Sequence, residues 1–384
     1  MRFTVVLAST WVLTSFVPLV SNAEQPQLEP GFVSIFNGQD LSGWEGREDC
    51  WRVVDGVIEG APETGDETPS CWLVWRDGTL KNFHLKLKFR IRSGNSGVFY
   101  RASRVGRGYQ SDVRSDATGT GKLYHGGGKL GAHAAVGQFV VNNPGGKGEL
   151  AGEVANPKWL QQLPYYVPGE WAECEVVARG NHILHIVNGL PTVEFIDRDE
   201  QDAERRRRVD EGILGLQLHR GHYMQVQFRD IRLKQFSGSF RDALLLFNSR
   251  NLEGWSVPQN VGDHWRVGTS KTADDKTKKK PDAPEVLICD GSGRTPLVWT
   301  GSTPKAFVLR YQRFTGKDDP SADTPLRSAA GWENVEVTVC AGQTRMEVNG
   351  QRKTGPLPRQ NGKIALPSDL AAEYRNVVLI PIQL

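Results

Sequence analysis

Apolar and polar residues alternate in short runs along most of this chain, and sustained helical periodicity is nearly absent. Runs such as NFHLKLKFRI, GILGLQLH and MQVQFRDIRLKQF are soon followed by Gly, Asn or Asp. Short alternating runs with turn residues between them are typical of the strands of a β-sandwich. The sequence therefore predicts an all-β fold.

One hairpin is predicted with particular clarity, in the segment ILHIVNGLPTVEFI. The pair Asn188-Gly189 lies there between two apolar runs. Both central residues of a type I′ turn need a positive φ, which Asn and Gly adopt most readily. We therefore expect two antiparallel strands joined at these residues.

The opening of the chain recurs in its second half. IFNGQDLSGWEG, residues 35–46, returns as LFNSRNLEGWSV, residues 246–257, with the same spacing from Phe to Trp. The copies stay in step further on, since the segment after Trp171 matches the segment after Trp332. We predict two β-sandwich modules in tandem, at 24–237 and 238–384. The second is smaller because it lacks a counterpart to residues 96–138.

The first 23 residues resemble a secretory signal peptide. Arg2 precedes an apolar run, and Ser21 and Ala23 occupy the −3 and −1 positions of a cleavage site. A membrane anchor is the alternative, although Pro18 and several Ser and Thr residues interrupt the run. We expect an exported protein, periplasmic or extracellular, with no membrane span. Disulfides can form in those compartments.

The amino-acid composition bears on two questions, a nucleic-acid partner and the pairing of cysteines. The chain has 384 residues, 11 Trp, and 47 basic against 44 acidic side chains, a formal charge of +3. That charge is too small to indicate a nucleic-acid partner. Of the 5 Cys, only Cys50 and Cys71, which flank a predicted hairpin, are candidates for a bridged pair. Burial as small apolar side chains is the alternative for them.

Polar residues that could carry chemistry concentrate in the part that the second copy lacks. In NSGVFYRA, Arg101 faces away from the core if Val98 and Tyr100 face towards it, because side chains alternate along a strand. The same alternation places further polar residues on the side away from the core, namely Gln110 and Asp112 in GYQSDV and Gln217 and His219 in GILGLQLHRG. An ordinary solvated sheet face would give the same pattern, so both interpretations stay open.

Several of these segments resemble the DUF1080 or 3-keto-disaccharide hydrolase family, which has a concanavalin A-like jelly-roll fold. The resemblance rests on FVSIFNGQDLSGWEG, WRVVDGVIEG, NSGVFYRA, GYQSDV, GKLY and ILGLQLHRGHYMQVQFRDIRLKQF, and it covers most of residues 32–236. The second half resembles the family only at its ends. Where many members have Glu-x-Gln-x-x-Asp, this chain has Gln110-Ser111-Asp112-Val113.

The resemblance implies cleavage of glycosides oxidised at C3, by elimination and then hydration, on the concave sheet. His219 is the expected base, and Asp112 would orient it, act as base itself or bind a divalent metal. Four residues are expected to bind substrate: Arg101, Gln110, Gln217 and Tyr124. The main alternative is a noncatalytic, lectin-like carbohydrate-binding protein, and a purely structural domain is the third.

Overall fold

The structure is a computed structural model. It describes residues 28–62, 67–104, 107–116, 118–126, 132–143, 147–154, 165–199, 211–237, 242–256, 264–270, 286–292, 295–315, 332–341, 343–349, 351–354, 359–360, 362–368 and 371–382. The predicted signal peptide, residues 1–23, lies outside these ranges. No helix in the described part of the chain is long and apolar enough to cross a membrane.

All regular secondary structure of the described residues is β, which confirms the predicted fold class. There are 31 strands: β1 (Val33–Ser34), β2 (Trp44–Gly46), β3 (Trp51–Val54), β4 (Val57–Gly60), β5 (Glu67–Thr68), β6 (Cys71–Leu80), β7 (Phe83–Ser93), β8 (Asn95–Arg104), β9 (Arg107–Arg114), β10 (Leu123–Gly126), β11 (Ala132–Ala134), β12 (Gln138–Asn143), β13 (Lys147–Glu153), β14 (Ala172–Arg179), β15 (His182–Val187), β16 (Leu190–Asp197), β17 (Gly212–Leu218), β18 (Gly221–His222), β19 (Gln225–Gln235), β20 (Leu244–Leu245), β21 (Trp255–Ser256), β22 (Trp265–Gly268), β23 (Val286–Asp290), β24 (Leu297–Trp299), β25 (Phe307–Phe314), β26 (Glu333–Cys340), β27 (Gln343–Val348), β28 (Gln351–Lys353), β29 (Arg359–Gln360), β30 (Lys363–Leu366) and β31 (Ala371–Pro381).

The strands up to β19 form two large sheets and one short pair. A ten-stranded sheet has the order β13-β12-β16-β15-β14-β7-β19-β4-β3, with β1 also paired to β19. A seven-stranded sheet has the order β11-β10-β9-β8-β17-β6-β2, and β18 pairs with β5. The later strands form an eight-stranded sheet, β22-β23-β31-β25-β26-β27-β28 with β20 beside β31, and a four-stranded sheet, β21-β24-β30-β29.

A large apolar core fills the space between the ten-stranded and seven-stranded sheets. Leu87 and Phe89 from β7 meet Leu216 and Leu218 from β17 there, all fully buried. Burying each such side chain contributes about 1.5–3 kcal/mol. A second core lies between the eight-stranded and four-stranded sheets, where Leu309 and Leu379 pack with Leu366.

The two pairs of sheets also contact each other. Phe139, Val141 and Ile196, on the outer face of the ten-stranded sheet, pack against Ala243 and Val378 of the later strands. The side chains of Glu194 on β16 and Arg310 on β25 form an ion pair across this contact. The later strands therefore lie on the side of the first sandwich opposite to its seven-stranded sheet.

The repeated FN-x-x-x-L-x-GW motif has the same hydrogen bonds in both copies. The side-chain oxygens of Asn37 and Asn248 each accept from the backbone amides two and three residues later. The indole nitrogens of Trp44 and Trp255 each donate to the carbonyl nine residues earlier, at 2.8 Å. The motif thus closes a turn onto a buried Trp, which is a structural role.

The structure confirms the predicted hairpin and decides between the two alternatives that the sequence left open for Cys50 and Cys71. Asn188 and Gly189 form the turn between β15 and β16 with φ of 48° and 76°. Cys50 and Cys71 form a disulfide, which links the start of β6 to the residue before β3. Of the other cysteines, Cys174 and Cys289 are buried.

Candidate functional site

The outer face of the seven-stranded sheet, called the candidate face below, carries most of the predicted site residues. Strand register aligns two rows of side chains across it. The first row is Trp72, Gln217, Gly97 and Asp112, and the second is Val74, Gly215, Phe99, Gln110 and Tyr124. The intervening residues, such as Leu216 and Val98, enter the core. The alternation predicted from sequence for β9 and β17 is therefore correct.

Gln110 and Gln217 are hydrogen-bonded to each other on this face. The Gln110 Nε2 donates to Gln217 Oε1 at 2.9 Å and to the Ser96 carbonyl at 3.3 Å. The Gln110 side chain reaches its partner by crossing over Gly97, where an added Cβ would lie 1.7 Å from Nε2. The missing side chain at Gly97 is thus what allows the two amides to meet.

Asp112 lies in the first row and is almost completely buried. Its Oδ2 is 3.2 Å from Nζ of Lys122, which is only partly buried. Burial raises the pKa of Asp112 to about 6, although the positive charges of Lys122, Arg114 and His219 oppose the rise. The result is a carboxyl group that titrates close to neutral pH, as a general base requires.

His219 directly follows β17 and lies at the exposed rim of the candidate face. Its Nδ1 is 2.6 Å from the carbonyl of Arg220, so this nitrogen carries the proton in the neutral ring. Its charged form acts on Asp112 electrostatically. His219 and Asp112 therefore interact electrostatically, although the carboxyl group is buried and the imidazole is exposed to solvent.

The expectation that Arg101 lines this face is wrong. Arg101 is fully buried, and its guanidinium donates to the carbonyls of Lys81 and Gly180, at 2.5–2.8 Å. The pairing of β8 with β9 shifts register after Tyr100, and Arg101 has a φ of 47°. This bulge ends the strict alternation and turns the Arg101 side chain to the loop ends of the sandwich.

Tyr124 is on the candidate face opposite Gln110 and is half-buried. Two aromatic rings complete the surface nearby, since Trp72 meets Phe99 edge to face with centroids 4.1 Å apart. Aromatic side chains beside amide and carboxylate groups are a common composition of sugar-binding surfaces. The roles assigned to the individual residues stay predictions.

Three polar residues of the candidate face were not found by sequence reasoning. Lys122 pairs with Asp112, while Arg114 and Asn95 face each other in the next row. Lys122 precedes Tyr124 by two residues in GKLY, so alternation on β10 could have identified it. Arg114 and Asn95 lie at strand ends, where alternation gives a weaker signal.

The described residues contain no cluster of three or more His, Cys, Asp or Glu side chains that could hold a metal ion. Asp112 has a lysine as its charged partner instead. A divalent metal on Asp112 would therefore compete with the Lys122 ammonium, so the described residues around Asp112 do not form a donor set that fits a metal ion.

A Ser–His–Asp cluster among the later strands differs from a nucleophilic triad. Ser292 Oγ and Asp290 Oδ1 both approach the same nitrogen of His264, Nδ1, at 2.5 and 3.2 Å, and Ser292 also donates to Asp290. In a relay the serine and the carboxylate bind opposite ring nitrogens. This cluster is therefore a hydrogen-bonded turn.

Part of this chain is similar to known proteins. Residues 31–234 match the model of the 3-keto-alpha-glucoside-1,2-lyase-like domain family. A 3-keto-disaccharide hydrolase from Bacteroides thetaiotaomicron is 28% identical over 114 residues, which cover 24% of this chain and 37% of that protein. The match thus spans little more than a third of the relative's length.

Two solved structures show similarity to about half of the chain. A candidate glycosyl hydrolase from Parabacteroides distasonis has a TM-score of 0.36 and 19% identity, over 54% of this chain and 94% of that one. The carbohydrate-binding module CBM66 from Bacillus subtilis has a TM-score of 0.32 and 12% identity, over 50% of this chain and 96% of that one.

Proposed function

Because the chain belongs to the family of 3-keto-alpha-glucoside-1,2-lyase-like domains, we propose that it cleaves 3-keto-glycosides on the candidate face. The observation that carries the proposal is Asp112, a buried carboxyl group with a pKa of about 6 beside a lysine. A carboxyl group whose pKa is shifted by burial next to a specific charged partner is an arrangement that active sites use to set the basicity of a catalytic group.

The chemistry of the substrate sets the requirements of the site. A ketone at C3 acidifies the hydrogen at C2, so a base removes that proton and forms an enolate. The enolate then expels the glycosidic oxygen from C1, and the leaving alcohol takes a proton. Water finally adds across the C1–C2 double bond, with hydroxyl at C1 and hydrogen at C2. The site must therefore supply a base, a cation near the ketone oxygen, and an acid.

We assign Asp112 as the base, since its pKa of about 6 leaves it mainly ionised at pH 7 and more basic than an ordinary carboxylate. Lys122 is the cation nearest to Asp112 and would stabilise the enolate oxygen. His219, exposed at the rim, would protonate the leaving oxygen. Gln110, Gln217 and Tyr124 would bind hydroxyl groups.

Noncatalytic sugar binding is the second candidate. The Trp72–Phe99 pair and the joined amides of Gln110 and Gln217 favour it, because aromatic and amide groups suffice to hold a sugar without any acid or base. On this alternative, Asp112 would only neutralise Lys122.

The test compares a 3-keto-disaccharide with its unoxidised parent. We expect turnover of the oxidised sugar alone, and a loss of about 10²–10⁴-fold in kcat/KM for Asp112→Asn and for His219→Asn. Lys88→Met, a change on the outer face of the ten-stranded sheet, is the matched control and should retain activity. Absence of turnover together with measurable binding of the unoxidised sugar would favour the lectin-like alternative.

We also propose that the protein is exported, from the signal-peptide pattern of residues 1–23. The Cys50–Cys71 disulfide is consistent with an oxidising compartment. N-terminal sequencing of the protein from its native host should give a mature chain that begins at Glu24, and an intact Met1 in the cytoplasm would contradict export.

A further inference from the structure

The turn that precedes Lys122 is held from inside the sandwich by the ten-stranded sheet. The carbonyl of Gly121 accepts a hydrogen bond from Thr192 Oγ1 at 3.0 Å and lies 3.1 Å from His185 Nδ1. The carbonyl of Thr120 accepts from the Tyr165 hydroxyl at 2.7 Å. The residues that contact this turn from inside are buried, as is Thr120 itself: Tyr165, His185 and Thr192. Hydrogen bonds between buried groups are electrostatically stronger than hydrogen bonds in water.

The proton positions on His185 follow from its two partners. A carbonyl oxygen can only accept, so Nδ1 carries the proton that is directed to Gly121, and Nε2 accepts from the Tyr100 hydroxyl at 2.6 Å. Burial lowers the pKa of His185 to about 4. The ring is therefore neutral at pH 7 and acts as a fixed donor to Gly121.

The other side of the same turn meets Asp112. The amide of Gly121 donates to the Asp112 carbonyl at 2.7 Å, and the amide of Asp112 donates to the Lys122 carbonyl at 3.1 Å. Gly121 has a φ of 84°, and an added Cβ would lie 2.5 Å from Thr192 Oγ1. Only glycine fits between these contacts, so the peptide of Gly121 connects the core to the backbone of both charged residues.

We propose that His185 is a positioning residue of the candidate site: together with Thr192 it fixes the Gly121 carbonyl and so holds Lys122 beside Asp112. His185 contacts no substrate, because it is buried on the core side of the sheet. The catalytic meaning of this role rests on the proposed function, whereas the role itself concerns the protein without substrate.

The test titrates the Asp112 carboxyl group by NMR in the free protein, where Lys122, Arg114 and His219 are the charges that act on it. In His185→Gln the side-chain amide occupies the position of the imidazole Nε2, so the hydrogen bond to the Gly121 carbonyl is lost. In His185→Asn it takes the place of Nδ1 and keeps a donor for Gly121. Tyr100→Phe removes only the partner of Nε2 and is the matched control.

Lys122→Met sets the upper limit of the effect, because loss of an adjacent opposite charge raises a carboxyl pKa by about 1–3. We expect a smaller rise of the Asp112 pKa in His185→Gln and in Thr192→Val, and a value close to the wild type in His185→Asn and Tyr100→Phe. An unchanged Asp112 pKa in folded His185→Gln and Thr192→Val would overturn the proposal. Should one of these variants not fold, the other provides the same test.

Activity gives a separate readout. If the protein cleaves 3-keto-glycosides, His185→Gln should lower kcat more than it raises KM, and His185→Asn should restore kcat. If His185→Gln and Thr192→Val raise the Asp112 pKa but the wild type does not turn over substrate, the proposed function fails while the positioning role stands. Equal loss of kcat in both His185 variants, with the Asp112 pKa unchanged, contradicts the positioning role alone.

Discussion

At the scale of single residues, the candidate face depends on a position that has no side chain. Gly97 lies between Gln217 and Asp112 in the first row, and the Gln110 side chain occupies the space above it. The hydrogen bond between Gln110 and Gln217 therefore depends on a glycine, a residue that a search for polar groups in the sequence does not identify.

We predict that Gly97→Ala separates Gln110 from Gln217. The new Cβ would overlap the Gln110 amide, which must rotate away and lose its hydrogen bond to Gln217. The sugar hydroxyl group that the paired amides bind would then lose a hydrogen bond. The lost binding free energy of about 1–1.5 kcal/mol should weaken sugar binding roughly 5- to 10-fold. Isothermal titration with the sugar measures this.

Gly215→Ala is the matched control for that change. Gly215 lies on the same face, but an added Cβ there meets its nearest neighbour, a Trp72 ring atom, only at 3.5 Å. Binding should stay within a factor of two of the wild type. Equal weakening by both variants would show that any methyl group on this face interferes, irrespective of Gln110.

At the scale of the strand, β8 explains the one site residue that alternation misplaced. Alternation holds on β9 and β17, so Gln110, Asp112 and Gln217 could be assigned to one face from sequence. It fails on β8 after Tyr100, because the register shift there changes which side the next residue faces. Bulges depend on pairing with a neighbouring strand, and nothing in SGVFYRA itself indicates one.

The buried Arg101 should behave as a structural residue. We predict that Arg101→Met lowers the free energy of unfolding by about 2–4 kcal/mol, because three hydrogen bonds from its guanidinium to the carbonyls of Lys81 and Gly180 are lost. Urea unfolding measures the change. The matched control, Arg92→Met on an exposed site of β7, should change it by less than about 0.5 kcal/mol.

Sugar affinity of the folded Arg101→Met protein should equal that of the wild type. A large loss of affinity without loss of stability would return Arg101 to the substrate-binding group that its sequence context suggested.

At the scale of the whole molecule, the repeat predicted two similar sets of strands but not the contact between them. Consecutive apolar residues, such as FVV in β12 and VVLIP in β31, are typical of strands covered on both faces. Those runs supply Val141 and Val378 to the contact. The contact also includes the Glu194–Arg310 ion pair, whose two residues are 116 positions apart in sequence, so local patterns do not reveal it.

We predict that Arg310→Met destabilises the protein by up to about 3–5 kcal/mol at pH 7, since Glu194 then stays buried with only His182 as partner. The double variant Glu194→Gln/Arg310→Met should recover part of this loss, because no unpaired charge remains. Chemical unfolding of both variants provides the measurement. Equal stability of wild type and Arg310→Met would show that the ion pair does not contribute.

The same pair predicts a pH dependence of stability. Burial alone would raise the pKa of Glu194, but Arg310 and His182 outweigh it and lower the pKa to about 2 from 4.5. A carboxyl group whose pKa is lower in the folded than in the unfolded state stabilises the folded state fully at pH values above its unfolded-state pKa. This stabilisation is lost as the pH falls to the folded-state pKa. Wild-type stability from this group should therefore decline between about pH 4.5 and pH 2, and the decline should be smaller in Arg310→Met.

The most direct test of the central claim is the pH dependence of kcat/KM for a 3-keto-disaccharide. A base with a pKa of about 6 must be ionised to accept the C2 proton, so kcat/KM should fall tenfold per pH unit below about 6. His219→Asn should retain this acid limb at lower overall activity, and Asp112→Asn should lose both limb and activity. Wild-type kcat/KM with an unchanged acid limb in Asp112→Asn would contradict the assignment of the candidate face as the site of catalysis.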